Sequence, residues 1–172
     1  MNPQLSAAEP ADYPFLREML YEAVFWRERA DKPTFEEALA LPYVGKELAD
    51  WGKRDGDAVV IARIDSTPVG ASWYRFWTAD SGSGGYVDDD TPVLALAVRA
   101  DYRRRGVGRR LLGWLLDHAA RHRVPRISLS VSKDNGALRL YRGLGFEEHA
   151  DRGDAFTMVR RIDYPEVDSR RS

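Results

Sequence analysis

The chain has 172 residues and a formal net charge of −1, with 44% hydrophobic and 31% charged residues. This is a globular composition, long enough for one domain with a real core. Cysteine is absent, which excludes disulfides, thiolate metal sites and cysteine nucleophiles together. No apolar run reaches membrane-span length and the N-terminus lacks a charged-then-apolar signal pattern, so a cytoplasmic protein without a membrane partner is expected.

In chain order, Leu5–Ala8 is a short first strand and Ala11–Trp26 a helix, with Phe15, Met19, Leu20, Ala23 and Val24 on one face. Thr34 and Glu37 have the spacing of a capping box opening a second helix. Pro42 forces a kink or fresh start near 41–44, the helix then continuing to Asp50-Trp51. Ala58–Ile64 and Val69–Trp77 form a hairpin about Asp65-Ser66-Thr67-Pro68. Strict alternation puts Trp73 and Trp77 on one face of its second arm and Tyr74 and Phe76 on the other. The Asp80–Gly85 stretch is a Ser/Gly loop. Beyond it come the strand Val93–Val98, the helix Val107–His122, the strand Ile127–Val131 and the short helix Asn135–Leu144. Two last strands, Phe146–His149 and Ala155–Ile162, turn through Asp151–Asp154. Residues 1–163 read as one α/β domain with three layers around a mixed sheet, and residues 164–172 as a polar tail.

The densest information lies at 93–116. A strand-length apolar run leads through a short linker into Arg103-Arg104-Arg105-Gly106-Val107-Gly108-Arg109-Arg110, and an amphipathic helix follows at once. The first N–H groups of a helix lack internal partners and carry the positive end of its dipole, so this order of parts makes an anion cradle. Gly106 and Gly108 let the backbone come close to a ligand. A P-loop is excluded because no Lys-Ser or Lys-Thr pair follows these glycines. A dinucleotide-binding turn is excluded because Leu111 stands where its third glycine belongs.

The run Arg103-x-x-Gly106-x-Gly108 instead resembles the acetyl-CoA signature of the GCN5-related N-acetyltransferases, Gln/Arg-x-x-Gly-x-Gly/Ala. A second block, Asn135 followed by Ala137-Leu138-Arg139-Leu140-Tyr141 and Leu144-Gly145-Phe146, is similar to the family's other hallmark. Its Asn-to-Tyr spacing is six, whereas many members have seven. The two blocks come in the family's order, and the resemblance is strong over residues 91–148.

The resemblance implies a GNAT-like fold whose parallel strands Val93–Val98 and Ile127–Val131 splay apart, with acetyl-CoA as co-substrate and no metal. It assigns Arg103, Arg104, Arg105, Gly106, Val107, Gly108 and Arg109 to the pyrophosphate, and Leu96, Ala97 and Val98 to pantetheine. Asn135 and Tyr141 complete the cofactor contacts, and Tyr141 sits by the sulfur as general acid. The implied reaction is direct attack of a primary amine on the thioester in a ternary complex. The acceptor is a small molecule or a peptide, and the family's habit allows a homodimer.

The chemistry also needs a base. A lysine-like ammonium is only about 0.1% neutral at pH 7.4, and Val93–Val98 carries no acid where many relatives have a glutamate. Asp88, Asp89 and Asp90, just ahead of the strand, are the base or ammonium-binding candidates; the alternative is a solvated loop. Tyr21, Trp26, Trp51 and the hairpin aromatics either pack the core or rim a cation site. His118 and His122 lie one turn apart without a carboxylate, a surface pair rather than a metal site. Two other functions compete. One is a non-catalytic acyl-CoA sensor on the same fold. The other is nucleic-acid binding through the arginines, against which the glycines and the −1 net charge favour one small polyphosphate.

Overall fold

A computed structural model describes residues 2–164, so the tail expected at 164–172 lies outside the described residues except for Tyr164. The structure contains two compact units. The first is the chain up to Arg75 together with Ala95–Leu115; the second is Phe76–Leu94 together with the chain from Leu116 onward.

In the first unit the ladder runs β1 (Gln4–Ala7), β2 (Ala58–Ile64), β3 (Thr67–Arg75) and the C-terminal part of β4 (Val93–Val98). The β1–β2 and β2–β3 pairs are antiparallel, registered at Ser6↔Ile61 and Ile61↔Ala71. The hairpin turn is tighter than the sequence suggests. Asp65 (φ 48°) and Ser66 (φ 67°) are both left-handed, the requirement of a two-residue turn matched to strand twist, so β3 resumes at Thr67.

Before the hairpin come α1 (Tyr13–Val24), α2 (Phe35–Ala40) and α3 (Pro42–Gly45). The capping box forms as its spacing requires: Thr34 Oγ1 accepts from the Glu37 N–H at 3.3 Å, and the Thr34 N–H donates to Glu37 Oε2 at 2.9 Å. Leu41 is extended (ψ 127°), as a residue before proline prefers, which ends α2 and lets Pro42 start α3. The expected run to 50–51 stops short. A 3-10 turn covers Lys46–Leu48, and left-handed Asp50 and Gly52 redirect the chain.

Both faces of the hairpin are covered. Phe15, Leu16, Met19 and Leu20 of α1 cluster with Val44, Leu48, Val59, Ile61, Ala71, Trp73 and Ala97. On the opposite face Gly70 lies against α4 (Val107–Arg121): a Cβ there would stand 3.2 Å from Leu111 Cδ1 and 3.1 Å from the Ala97 carbonyl oxygen. Helices on either side of the strands make this unit three layers. Alternation therefore carries little signal in β3, where Trp73 and Tyr74 are both buried. Trp77 lies past the end of β3, so it does not share a strand face with Trp73.

In the second unit the start of β4 pairs with β5 (Arg126–Ser132), followed in the ladder by β7 (Ala155–Arg161) and β6 (Glu147–Asp151). The β4–β5 pairing is parallel and registered at Val93↔Ser128, whereas β5–β7 and β6–β7 are antiparallel. The sheet is thus mixed and mostly antiparallel. α5 (Ala137–Gly143) packs against β5. β6 is an exposed charged edge with a bulge between Glu148 and Ala150, features that discourage edge pairing.

Candidate functional site

The basic turn after β4 is built on an ion-paired frame. The Arg99 N–H donates to the Val69 carbonyl at 2.8 Å. The Arg99 guanidinium grips Glu18 of α1 with two bonds, 2.8 and 2.9 Å. After a 3-10 turn at Ala100–Tyr102, Arg103 Nε donates to the Val98 carbonyl at 2.8 Å, and Arg103 Nη2 reaches Glu22 at 3.2 Å. Arg103 is thus committed to holding the turn, and it occupies the Val98 carbonyl. Arg104 (φ 58°) and Gly106 (φ 79°) then take left-handed conformations. Gly106 meets that need without steric cost, whereas Arg104 adopts it with a Cβ in place and without a local pattern that announces it.

The first bond into α4 is Arg110 N–H to the Gly106 carbonyl at 3.2 Å. The N–H groups of Val107, Gly108 and Arg109 therefore precede the helix ladder and point outward from its N-terminus. Gly108, the second residue of α4, is helical rather than left-handed. Val107, Leu111, Leu112 and Leu115 are buried and fix the helix. Arg104, Arg105, Arg109 and Arg110 are exposed and have no carboxylate partner among the described residues; Arg105 lies over the Tyr102 ring at 5.7 Å. In β4, Ala97 is buried, while Leu96 and Val98 are half-buried.

The other predicted site residues belong to the second unit. Tyr141 on α5 is buried, edge-on to Phe146 with centroids 5.7 Å apart, and burial pushes its phenol above the ordinary value. Asn135 Oδ1 accepts from the Ala137 N–H at 2.9 Å, so this side chain shapes the entry to α5.

The three aspartates separate. Asp88 pairs with Arg126; burial works to raise its carboxyl, but nearby Thr91 and the guanidinium outweigh it and hold it low. Asp89 accepts from the Tyr86 hydroxyl, which pushes that phenol up to about 12. Asp90 is exposed, its N–H bonded to Asp88 Oδ1 at 3.0 Å. The Ser/Gly loop ends in a buried anchor: Ser128 Oγ donates to the Gly85 carbonyl at 2.6 Å, and a Cβ on Gly85 would stand 3.0 Å from the Leu129 carbonyl carbon. His118 and His122 stack at 4.0 Å. Burial first, then His122 and Arg121, push His118 down to about 4.

One charged group escaped the sequence reading. Arg75, at the end of β3, is fully buried against Asp57 (2.8 Å) and donates through Nη1 to the Glu47 carbonyl at 2.9 Å.

Residues 18–146 match the model of the acetyltransferase (GNAT) family. The chain belongs to this family. Among its curated relatives is the [ribosomal protein bS18]-alanine N-acetyltransferase of Escherichia coli K12, 36% identical over 83 residues, 48% of this chain and 51% of that protein. This GNAT chain thus spans about half the length of the curated relatives it matches. Solved structures share the fold. The ribosomal-protein-alanine N-acetyltransferase of Brucella melitensis superposes with a TM-score of 0.66 at 21% identity, over 92% of this chain and 99% of that one. The PaiA N-acetyltransferase of Thermoplasma acidophilum, solved with coenzyme A, gives 0.67 at 16% identity, over 94% and 99%.

Proposed function

We propose that this protein is an N-acetyltransferase that moves an acetyl group from acetyl-CoA to a primary amine by direct attack in a ternary complex. The carrying observation is the start of α4 in a chain of this family. Left-handed Arg104 and Gly106 lead into three N–H groups ahead of the helix ladder, ringed by four arginines without carboxylate partners among the described residues. Such a donor set suits a pyrophosphate in charge and in hydrogen bonding. A Cβ on Gly106 would meet nothing within 4 Å, so the turn is open where a ligand would come.

Arg104, Arg105 and Arg109 supply charge to the pyrophosphate, while Gly106, Val107 and Gly108 supply backbone. Arg103 orients the turn from its place between Val98 and Glu22. Leu96, Ala97 and Val98 border the pantetheine, and Asn135 adds its side-chain amide. Acetyl-CoA brings the activated thioester. Tyr141, kept protonated by burial, donates a hydrogen bond to the leaving sulfur. Asp88 and Asp89 are engaged with Arg126 and Tyr86 and shape their loop, leaving Asp90 to attract a cationic acceptor.

The E. coli relative is named for the alanine of a ribosomal protein, so a short peptide beginning with alanine is the first acceptor to try, beside free lysine and spermidine. Acetylated product detected by mass spectrometry supports the enzyme. Acetyl-CoA binding without acetylation of any amine points to the sensor alternative, and no binding removes both.

A further inference from the structure

Five acidic residues of the first unit are partly buried. Four are paired: Asp12 with Arg63, Glu18 with Arg99, Glu22 with Arg103 and Asp57 with Arg75. The fifth, Glu47, is half-buried, and no side chain holds its carboxylate at contact distance among the described residues. Its backbone is fixed instead, because the Glu47 carbonyl accepts from Arg75 Nη1 at 2.9 Å. Leu48, the next residue, is buried in the cluster that contains Trp73 and Ala97, with Trp51 and Ala95 packed against it. The 3-10 turn carrying Glu47 is thereby seated on the cluster that includes the middle of β4, the strand that lacks an acid of its own.

The charged groups acting on Glu47 are Lys46 on its own turn, Arg54 beyond it and Arg75 from β3; Asp57 offsets Arg75. Burial outweighs these cations and raises the carboxyl above its ordinary value, the direction a base working near neutrality needs.

We infer that Glu47 is the general base that takes the proton of the acceptor ammonium, directly or through one water; this rests on the acetyltransferase reading above. The step balances. One ammonium proton goes to the Glu47 carboxylate, and the freed nitrogen pair forms the N–C bond to the acetyl carbon. The C–S bond breaks and its electron pair leaves on sulfur, which takes up, through the Tyr141 hydroxyl, the second proton that the nitrogen sheds as it becomes an amide. Glu47 then returns its proton to solvent.

The test compares wild type, Glu47→Gln and the exposed control Glu36→Gln. Calorimetry follows acetyl-CoA binding, thermal melting follows folding, and thiol release is followed from pH 6 to 9.5 with the alanine peptide. Acetyl-CoA hydrolysis, in which water replaces the amine, is read in parallel. The expected result is intact folding and intact acetyl-CoA affinity for Glu47→Gln, with a roughly tenfold loss of kcat/KM near pH 7 that deepens toward pH 6 as the neutral fraction of the peptide's amine falls. The deficit narrows above pH ~8, where the peptide's amine is already neutral. A purely structural role would give a deficit independent of pH. Glu47→Gln matching wild type in both transfer and hydrolysis, or a pH-independent deficit, overturns the assignment. Absence of acetyl-CoA binding by wild type defeats the acetyltransferase reading itself, a distinct result.

Discussion

Replacing Arg75 by methionine is the sharpest structural perturbation available. The substitution keeps most of the side-chain volume but removes the guanidinium from a site where Arg75 and Asp57 side chains are 1% and 4% exposed. Asp57 is left as a buried carboxylate without its partner, which costs about 3–5 kcal/mol. The Glu47 carbonyl also loses its donor, for roughly 1 kcal/mol more. A total of about 4–6 kcal/mol is a large share of the ~5–15 kcal/mol stability of a domain. At roughly 2–4 °C per kcal/mol for this chain length, Tm falls by about 8 °C or more. Urea unfolding followed by circular dichroism gives the free energy. The double variant Arg75→Met/Asp57→Leu carries no stranded charge and recovers most of the loss. An Arg75→Met penalty below ~1 kcal/mol, or a double variant no better than the single one, would refute the reasoning.

Gly85→Ala places a Cβ 2.6 Å from Val93 Cγ1 and 3.0–3.1 Å from β5 backbone atoms. It lowers stability by roughly 1–3 kcal/mol, whereas Gly84→Ala, 3.8 Å from Ser130, stays within about 0.5 kcal/mol; thermal melts compare them. His118 titrates near 4 when folded and near 6.5 when unfolded, so the unfolded chain binds the extra proton in that window. Stability from this group is therefore lost as pH falls from 6.5 to 4, by about 1–2 kcal/mol once solvent screening of a half-exposed ring is allowed for. Melts of His118→Gln against wild type at pH 7 and pH 4.5 should show the variant losing less. Tyr141→Phe lowers kcat by roughly tenfold or more with unchanged acetyl-CoA affinity; an unchanged kcat would leave Tyr141 only its contact with Phe146.

Local signals in the sequence located most elements. The Thr34–Glu37 spacing, the proline at 42 and the apolar runs at 58–64 and 93–98 each report backbone preferences that tertiary context left intact. The basic turn was legible for the same reason, since glycines and arginines ahead of an amphipathic run describe a helix N-terminus. What stayed hidden depends on distant partners. Arg75 is buried because Asp57 and Glu47 meet it, and Gly85 is fixed because β5 lies beneath it. Glu47 differs from other surface-type glutamates only in its burial, and Arg104 adopts a conformation that no local pattern announces.

The most direct test of the central claim is calorimetric titration of the protein with acetyl-CoA, beside Gly108→Trp, which places an indole in the first turn of α4. One site of about micromolar affinity in wild type, lost in a variant that still melts cooperatively, is the predicted result. Absence of binding to wild type, or equal binding by the variant, would contradict the assignment of the α4 N-terminus as the acetyl-CoA cradle.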